Sequence, residues 1–64
     1  MKKVGQRVQR LREQRGMTQE TLAAKTGLSR GYLARLETGR HDPRLSTLIT
    51  LAKALRVTLA KLVT

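Results

Sequence analysis

The chain has 64 residues, room for one domain at most, and no cysteine, which excludes a disulfide frame and a thiolate metal site. Fourteen Lys and Arg against four Asp and Glu leave a formal net charge of +10, a balance that favours a polyanionic partner, nucleic acid before an anionic membrane. No stretch approaches the roughly 20 apolar residues of a membrane span, and Met1-Lys2-Lys3 runs on into Val4-Gly5-Gln6-Arg7, so neither a membrane segment nor a signal peptide is expected.

Every clear segment has helical period, none alternates for long, and no repeat or low-complexity linker interrupts them. The pattern is all-α. A first helix runs from about Lys3 to Arg15, with Val4, Val8 and Leu11 on one side beside the stem of Arg12. Lys2, Lys3, Arg7 and Arg10 give its start a basic flank, and Gly16 supplies a left-handed stop. Thr18 caps a second helix, Glu20 suits the positive end of its dipole, and Met17 with Leu22 has the spacing of a hydrophobic staple. Gly27 ends it. Leu28 sits in the turn, Ser29 caps a third helix over about Arg30–Thr38, and Gly39 stops that one. Residues 39–44 form a loop. Asp42 and Pro43 read as the cap and first position of a fourth helix reaching about Leu55, with Leu45, Leu48, Ile49, Leu51, Ala52 and Leu55 as a broad apolar stripe. Thr58 caps a last turn or two carrying Leu59, Leu62 and Val63.

Residues 18–38 are two short helices joined at a glycine, the pattern of a helix-turn-helix whose second member enters the major groove of DNA. At about 100° per residue, Arg30, Gly31, Ala34, Arg35 and Thr38 share one side of the third helix, and Ser29, Tyr32, Leu33 and Leu36 the other. Arg30 and Arg35 are the candidates for reading bases, because the planar guanidinium fork matches the two major-groove acceptors of guanine. Gly31 and Ala34 let the helix lie close or touch a thymine methyl. Phosphate candidates are Gln19 and Thr18 at the start of the second helix, Ser29 and Thr38 at the ends of the third, and Lys25, Arg40 and Arg44. His41 stands without a second ligand, so no metal is expected, and one histidine with four acids offers no catalytic set. No cofactor, membrane or small-molecule ligand is expected either.

The runs VxxRVxxLRxxxGMTQETLA, KTGLSRGYLARLETGRHDP, LxTLxxLAKAL and VTLAKL, spanning Val4 to Leu62, resemble the lambda-repressor-like helix-turn-helix family of phage repressors, Cro proteins and small bacterial regulators. The resemblance implies a compact five-helix unit with the third helix as the recognition helix and phosphates held at the N-termini of the second and third. It also implies that Arg12 pairs with Glu37 as a structural ion pair and that Gln19 supports the recognition helix. Three positions depart from the family's pattern. Arg56 stands where glycine is usual, Ala60 and Lys61 where the last helix usually carries acids, and Gly31 where a reading side chain is common, which moves base readout onto Arg30 and Arg35.

The expected function is a sequence-specific regulator of transcription that binds double-stranded DNA, cytoplasmic and encoded by a bacterium or phage. It is expected to act as a homodimer through the loop and the last helices, where Val57, Leu59, Leu62 and Val63 are available. The alternative is a protein-bridging adaptor or antitoxin-type module whose nucleic-acid contact is mainly non-specific. Single-strand binding by base stacking is disfavoured by the lone aromatic residue, Tyr32.

Overall fold

The computed structural model describes the backbone of residues 2–64 and the side chains of residues 3–64; Met1 and the Lys2 side chain, part of the basic flank, lie outside the described residues. Along the chain run α1 (Lys2–Gln14), α2 (Gln19–Thr26), α3 (Arg30–Glu37), α4 (Leu45–Leu55) and α5 (Leu59–Val63), with no strand among the described residues.

Hydroxyl caps set three of the starts. Thr18, Ser29 and Thr58 are extended, and their side-chain oxygens accept from the N–H groups of Thr21 at 3.0 Å, Tyr32 at 3.0 Å and Lys61 at 3.3 Å. Each bond satisfies one of the backbone donors that a helix start leaves free. The fourth helix begins later than the sequence suggests. Its N-cap is Arg44, which makes no side-chain cap bond, rather than Asp42, and Pro43 is not its first residue. Pro43 is buried. Holding that ring against the interior keeps the chain extended through Arg44 before it coils.

Three helix ends share one turn. The N–H groups of Met17, Arg40 and Val57 each reach back to the carbonyl five residues earlier, Arg12, Arg35 and Ala52, at 3.0 Å. The residue before each takes positive φ: Gly16 at 68°, Gly39 at 78° and Arg56 at 59°. Glycine adopts that conformation at no steric cost, whereas a Cβ there meets the following carbonyl. Arg56 is the one described non-glycine residue with positive φ.

The core is a leucine cluster. Val4, Val8, Leu22, Leu33, Leu36, Leu51, Leu55 and Leu62 are fully buried, and Leu11, Leu48 and Ala52 nearly so. Each large side chain removed from water contributes about 1.5–3 kcal/mol. Around it α1 packs on α3, α4 and α5, α2 on α3 and α4, and α4 on α5, within 24 × 23 × 20 Å. Two members of the α4 stripe stay outside: Leu45 is 62% and Ile49 40% exposed.

Gly5 is a packing residue that the sequence reading passed over. A Cβ built on it would lie 2.0 Å from the carbonyl oxygen of Leu36 and 3.2 Å from Cα of Glu37. Here α1 crosses the end of α3 backbone against backbone. Gly5→Ala, which would stabilise an exposed helix by about 1 kcal/mol, is therefore expected to cost about 3 kcal/mol or more. Arg56→Gly should do the opposite, adding about 1 kcal/mol by relieving the left-handed turn. Thermal melts followed by circular dichroism check both, the second as a rise of about 4–8 °C.

Candidate nucleic-acid interface

The helix-turn-helix is fastened from behind by a buried ion pair. Arg12, near the end of α1, donates from Nε to Glu37 Oε2 at 2.8 Å and from Nη2 to Oε1 at 3.1 Å, and from Nη1 to the Met17 carbonyl at 2.7 Å. Gln19, the first residue of α2, donates from Nε2 to the same Oε1 at 3.0 Å. Arg12 is 7% and Glu37 4% exposed. A planar guanidinium facing a carboxylate on two bonds is the geometry in which a buried pair offsets its desolvation. The hydrogen bonds that Arg12 donates to Glu37 raise its pKa, burial opposes the rise, and the Glu37 and Glu13 charges add to it. A raised base contributes stability that is present below its unfolded value and is lost as pH rises through its folded value, in strongly alkaline solution.

The pair ties the end of α3 to α1, and Gln19 brings the start of α2 to the same carboxylate. Gly27, at φ 76°, turns the chain between them, and Thr26 Oγ1 donates to the Leu22 carbonyl at 2.8 Å. The two N-termini come together: Arg12, Met17, Thr18, Gln19, Glu20 and Arg30 line one cleft. The first N–H groups of both helices are unmatched within their helices, so each start offers donors and the positive end of a dipole.

On α3, Arg30, Gly31 and Arg35 are exposed and Ala34 is half-buried, while Leu33 and Leu36 face the core. A side chain at Gly31 would lie 3.6 Å from Arg35 Nη1, so the glycine leaves open the surface over which Arg35 reaches. Arg30 Nη1 stands 3.5 Å from Glu20 Oε1, both side chains largely in solvent. Such an exposed pair contributes little to stability, but it restrains the direction of Arg30. Glu20, read from sequence only as a dipole partner, is thus also a neighbour of a candidate reading residue.

The remaining sequence candidates divide. Ser29 accepts a backbone bond and keeps a hydroxyl proton to give; Thr18 accepts one too, but its hydroxyl also pairs with that of Thr21 at 2.9 Å, and Thr38 donates its proton to the Arg35 carbonyl at 2.9 Å and would have to surrender that bond to serve a phosphate. Arg40 and Arg44 are exposed at the two ends of the α3–α4 segment. That segment is tied back to α3 by His41, whose ring lies 4.4 Å from that of Tyr32 between centroids, tilted by 37°. Lys25 lies apart, in a cleft with Lys53 and Arg56. Arg7, counted in the basic flank, donates to the Leu62 and Thr64 carbonyls at the end of α5. Among the described residues there is no group of three His, Cys, Asp or Glu that could hold a metal, and no helix long and apolar enough to cross a membrane.

Comparison with known families decides what kind of unit this is: a helix-turn-helix family model matches residues 8–62. The chain belongs to the helix-turn-helix family. The matched span covers the Arg12–Glu37 pair and the whole α2–α3 unit, and the family is the lambda-repressor-like one that the sequence resembles. An uncharacterized HTH-type transcriptional regulator of Sinorhizobium fredii is 48% identical over 63 residues, covering 98% of this chain and 82% of its own. The immunity repressor protein of Bacillus phage phi105 is 47% identical over 60 residues, 94% of this chain and 42% of its own. The crystal structure of the restriction-modification controller protein C.AhdI from Aeromonas hydrophila superposes with a TM-score of 0.90 at 40% identity, covering 94% of this chain and 91% of that one.

For this helix-turn-helix chain the ion pair is the feature most exposed to mutation. Removing one member of a buried pair leaves the other uncompensated, at about 3–5 kcal/mol. Glu37→Ala or Arg12→Ala is therefore expected to unfold much of so small a protein at room temperature. Arg12→Met combined with Glu37→Leu should recover most of that loss. Urea denaturation of the three variants checks it.

Proposed function

We propose that this protein is a sequence-specific DNA-binding regulator of transcription that lays α3 in the major groove of double-stranded DNA. The observation that carries the reading is the outward side of α3. Two exposed guanidinium groups, that of Arg30 beside Glu20, and a glycine lie on a helix whose opposite side is locked into a leucine core. Arg30 and Arg35 read base edges, with Gly31 and Ala34 allowing close approach. The N-terminal N–H groups of α2 and α3, with Gln19, Thr18 and Ser29, receive phosphates, and Arg40 and Arg44 grip the backbone on the far side of the groove.

One short helix reads only a few base pairs, so specific binding is expected from a symmetric homodimer on half-sites about 34 Å apart. The apolar surface for it differs from the set suggested by sequence. Leu62 is fully buried in its own chain and Val57 and Leu59 pack against the same core, whereas Leu45 and Ile49, one turn apart on α4, and Val63 at 40% exposure on α5 face outward. These carry the proposed contact.

Selecting bound sites from a random duplex pool tests the reading. A preferred duplex should bind at least about a thousandfold more tightly than a scrambled one. Equal affinity for both would favour a bridging adaptor. Arg30→Ala should cost about 1–3 kcal/mol and relax preference at one base position. Arg40→Ala should weaken all duplexes alike and lower the slope of log affinity against log salt by about one. Leu45→Glu with Ile49→Glu should leave a cooperative helical melt, shift sedimentation to monomer and weaken the selected site far more than the scrambled one.

A further inference from the structure

Three cations meet where α2 and α4 end. Lys25 in the last turn of α2 and Lys53 and Arg56 at the end of α4 line one shallow cleft with Thr50 and Ala54. All three are exposed, none forms an ion pair among the described residues, and no carboxylate lines the cleft. It is not the cleft of Gln19 and Arg30. Gln19 and Lys25 are six residues apart on α2, about 9 Å along the axis at 1.5 Å per residue, so the two clefts sit at opposite ends of that helix.

Helix dipoles account for part of this charge. Each helix C-terminus carries about half a negative charge, so two of them offset about one cation of the three. They do not account for Arg56. Its turn is the one that glycine makes at Gly16 and Gly39, with the same 3.0 Å bond closing it. The guanidinium is what arginine adds there, and strained non-glycine backbone persists where the side chain has a task.

We propose that Lys25, Lys53 and Arg56 form a second anion-binding surface, separate from α3, that takes phosphodiester backbone. A duplex presents a charge about every 1.7 Å of its axis, so its backbone meets several cations of one cleft together. An acidic protein surface fits less well, since protein interfaces have an apolar centre and the exposed large apolar residues, Leu45, Ile49 and Val63, are not in the lining. The phosphates come either from an outlying part of the duplex that α3 reads or from a second duplex held at the same time. The inference rests on α3 being the DNA-reading helix.

The test compares the parent chain with Lys53→Gln, Arg56→Gly, which removes two cations and relieves the turn, and with Arg56→Lys, which keeps the charge. Thermal melts establish that each is folded. Binding is measured against salt on a short duplex that just spans the selected site, on a long duplex containing it, and as capture of a second labelled duplex by protein held on an immobilised short one. On the short site all three proteins should behave alike. On the long duplex, or in capture, the double variant should show a log–log salt slope smaller by about two, with Arg56→Lys like the parent. A change confined to the long duplex assigns the phosphates to the same DNA; a change in capture assigns them to a second one. Identical slopes and capture for parent and double variant would overturn the proposal. So would loss of poly-L-glutamate binding with every duplex result unchanged, which would indicate an acidic protein. A parent with no sequence preference at all would instead overturn the reading of α3.

Discussion

A guanidinium and a carboxylate, both out of water, hold this molecule's parts in relation. Glu37 closes α3, Arg12 lies near the end of α1, and Gln19 opens α2; all three converge on two carboxylate oxygens, with Met17 in the connecting turn bound to the same guanidinium. Leucine packing alone is non-directional and tolerates sliding. Hydrogen bonds of 2.7–3.1 Å do not, so this network adds direction to the packing that seats the α2–α3 unit against α1. The arrangement also explains why the outward side of α3 is free for other work. Its last residue is anchored behind, its first turn is capped by Ser29, and its inner side is filled by Leu33 and Leu36.

The same economy governs charge. The chain has four acids; Glu37 and Glu13 lie beside Arg12, and Glu20 beside Arg30. The positive field at the surface therefore belongs mainly to side chains with no internal use. Ring contact between Tyr32 and His41 adds order, because it docks on α3 the segment that bears Arg40 and Arg44. Cations held on a packed scaffold lose less freedom when they meet a partner than cations on a mobile tail.

Much of this was legible in the residues. Thr18, Ser29 and Thr58 announce helix starts by chemistry that needs no tertiary context, and Gly16, Gly27 and Gly39 announce the stops. The two sides of α3 follow from helical period. The start of α4 did not, because Asp42-Pro43 has the form of a cap and only burial of the proline ring shows that the chain continues extended. The apolar stripe of α4 likewise could not say which leucine the core would refuse; Leu45 and Leu48 look alike in sequence and differ in where α2 and α5 stand. Burial of Leu62 and partial burial of Val57 and Leu59 within their own chain were hidden for the same reason. For the site, period alone put Arg30 and Arg35 on one side of α3, but nothing local brings Glu20 to Arg30 or Lys25 to Lys53, since those neighbours lie on different helices.

The crossing at Gly5 has a mechanical consequence. Because the contact with Leu36 is main chain on main chain, it has no rotamer to yield and acts as a rigid fulcrum. Tilting α3 would swing α1 with it, and α1 in turn bears on α5, where Arg7 holds the Leu62 carbonyl. The pitch of the outward side of α3 is therefore a property of the entire bundle, transmitted through a hinge that cannot bend, and not of the short turn at Gly27 alone.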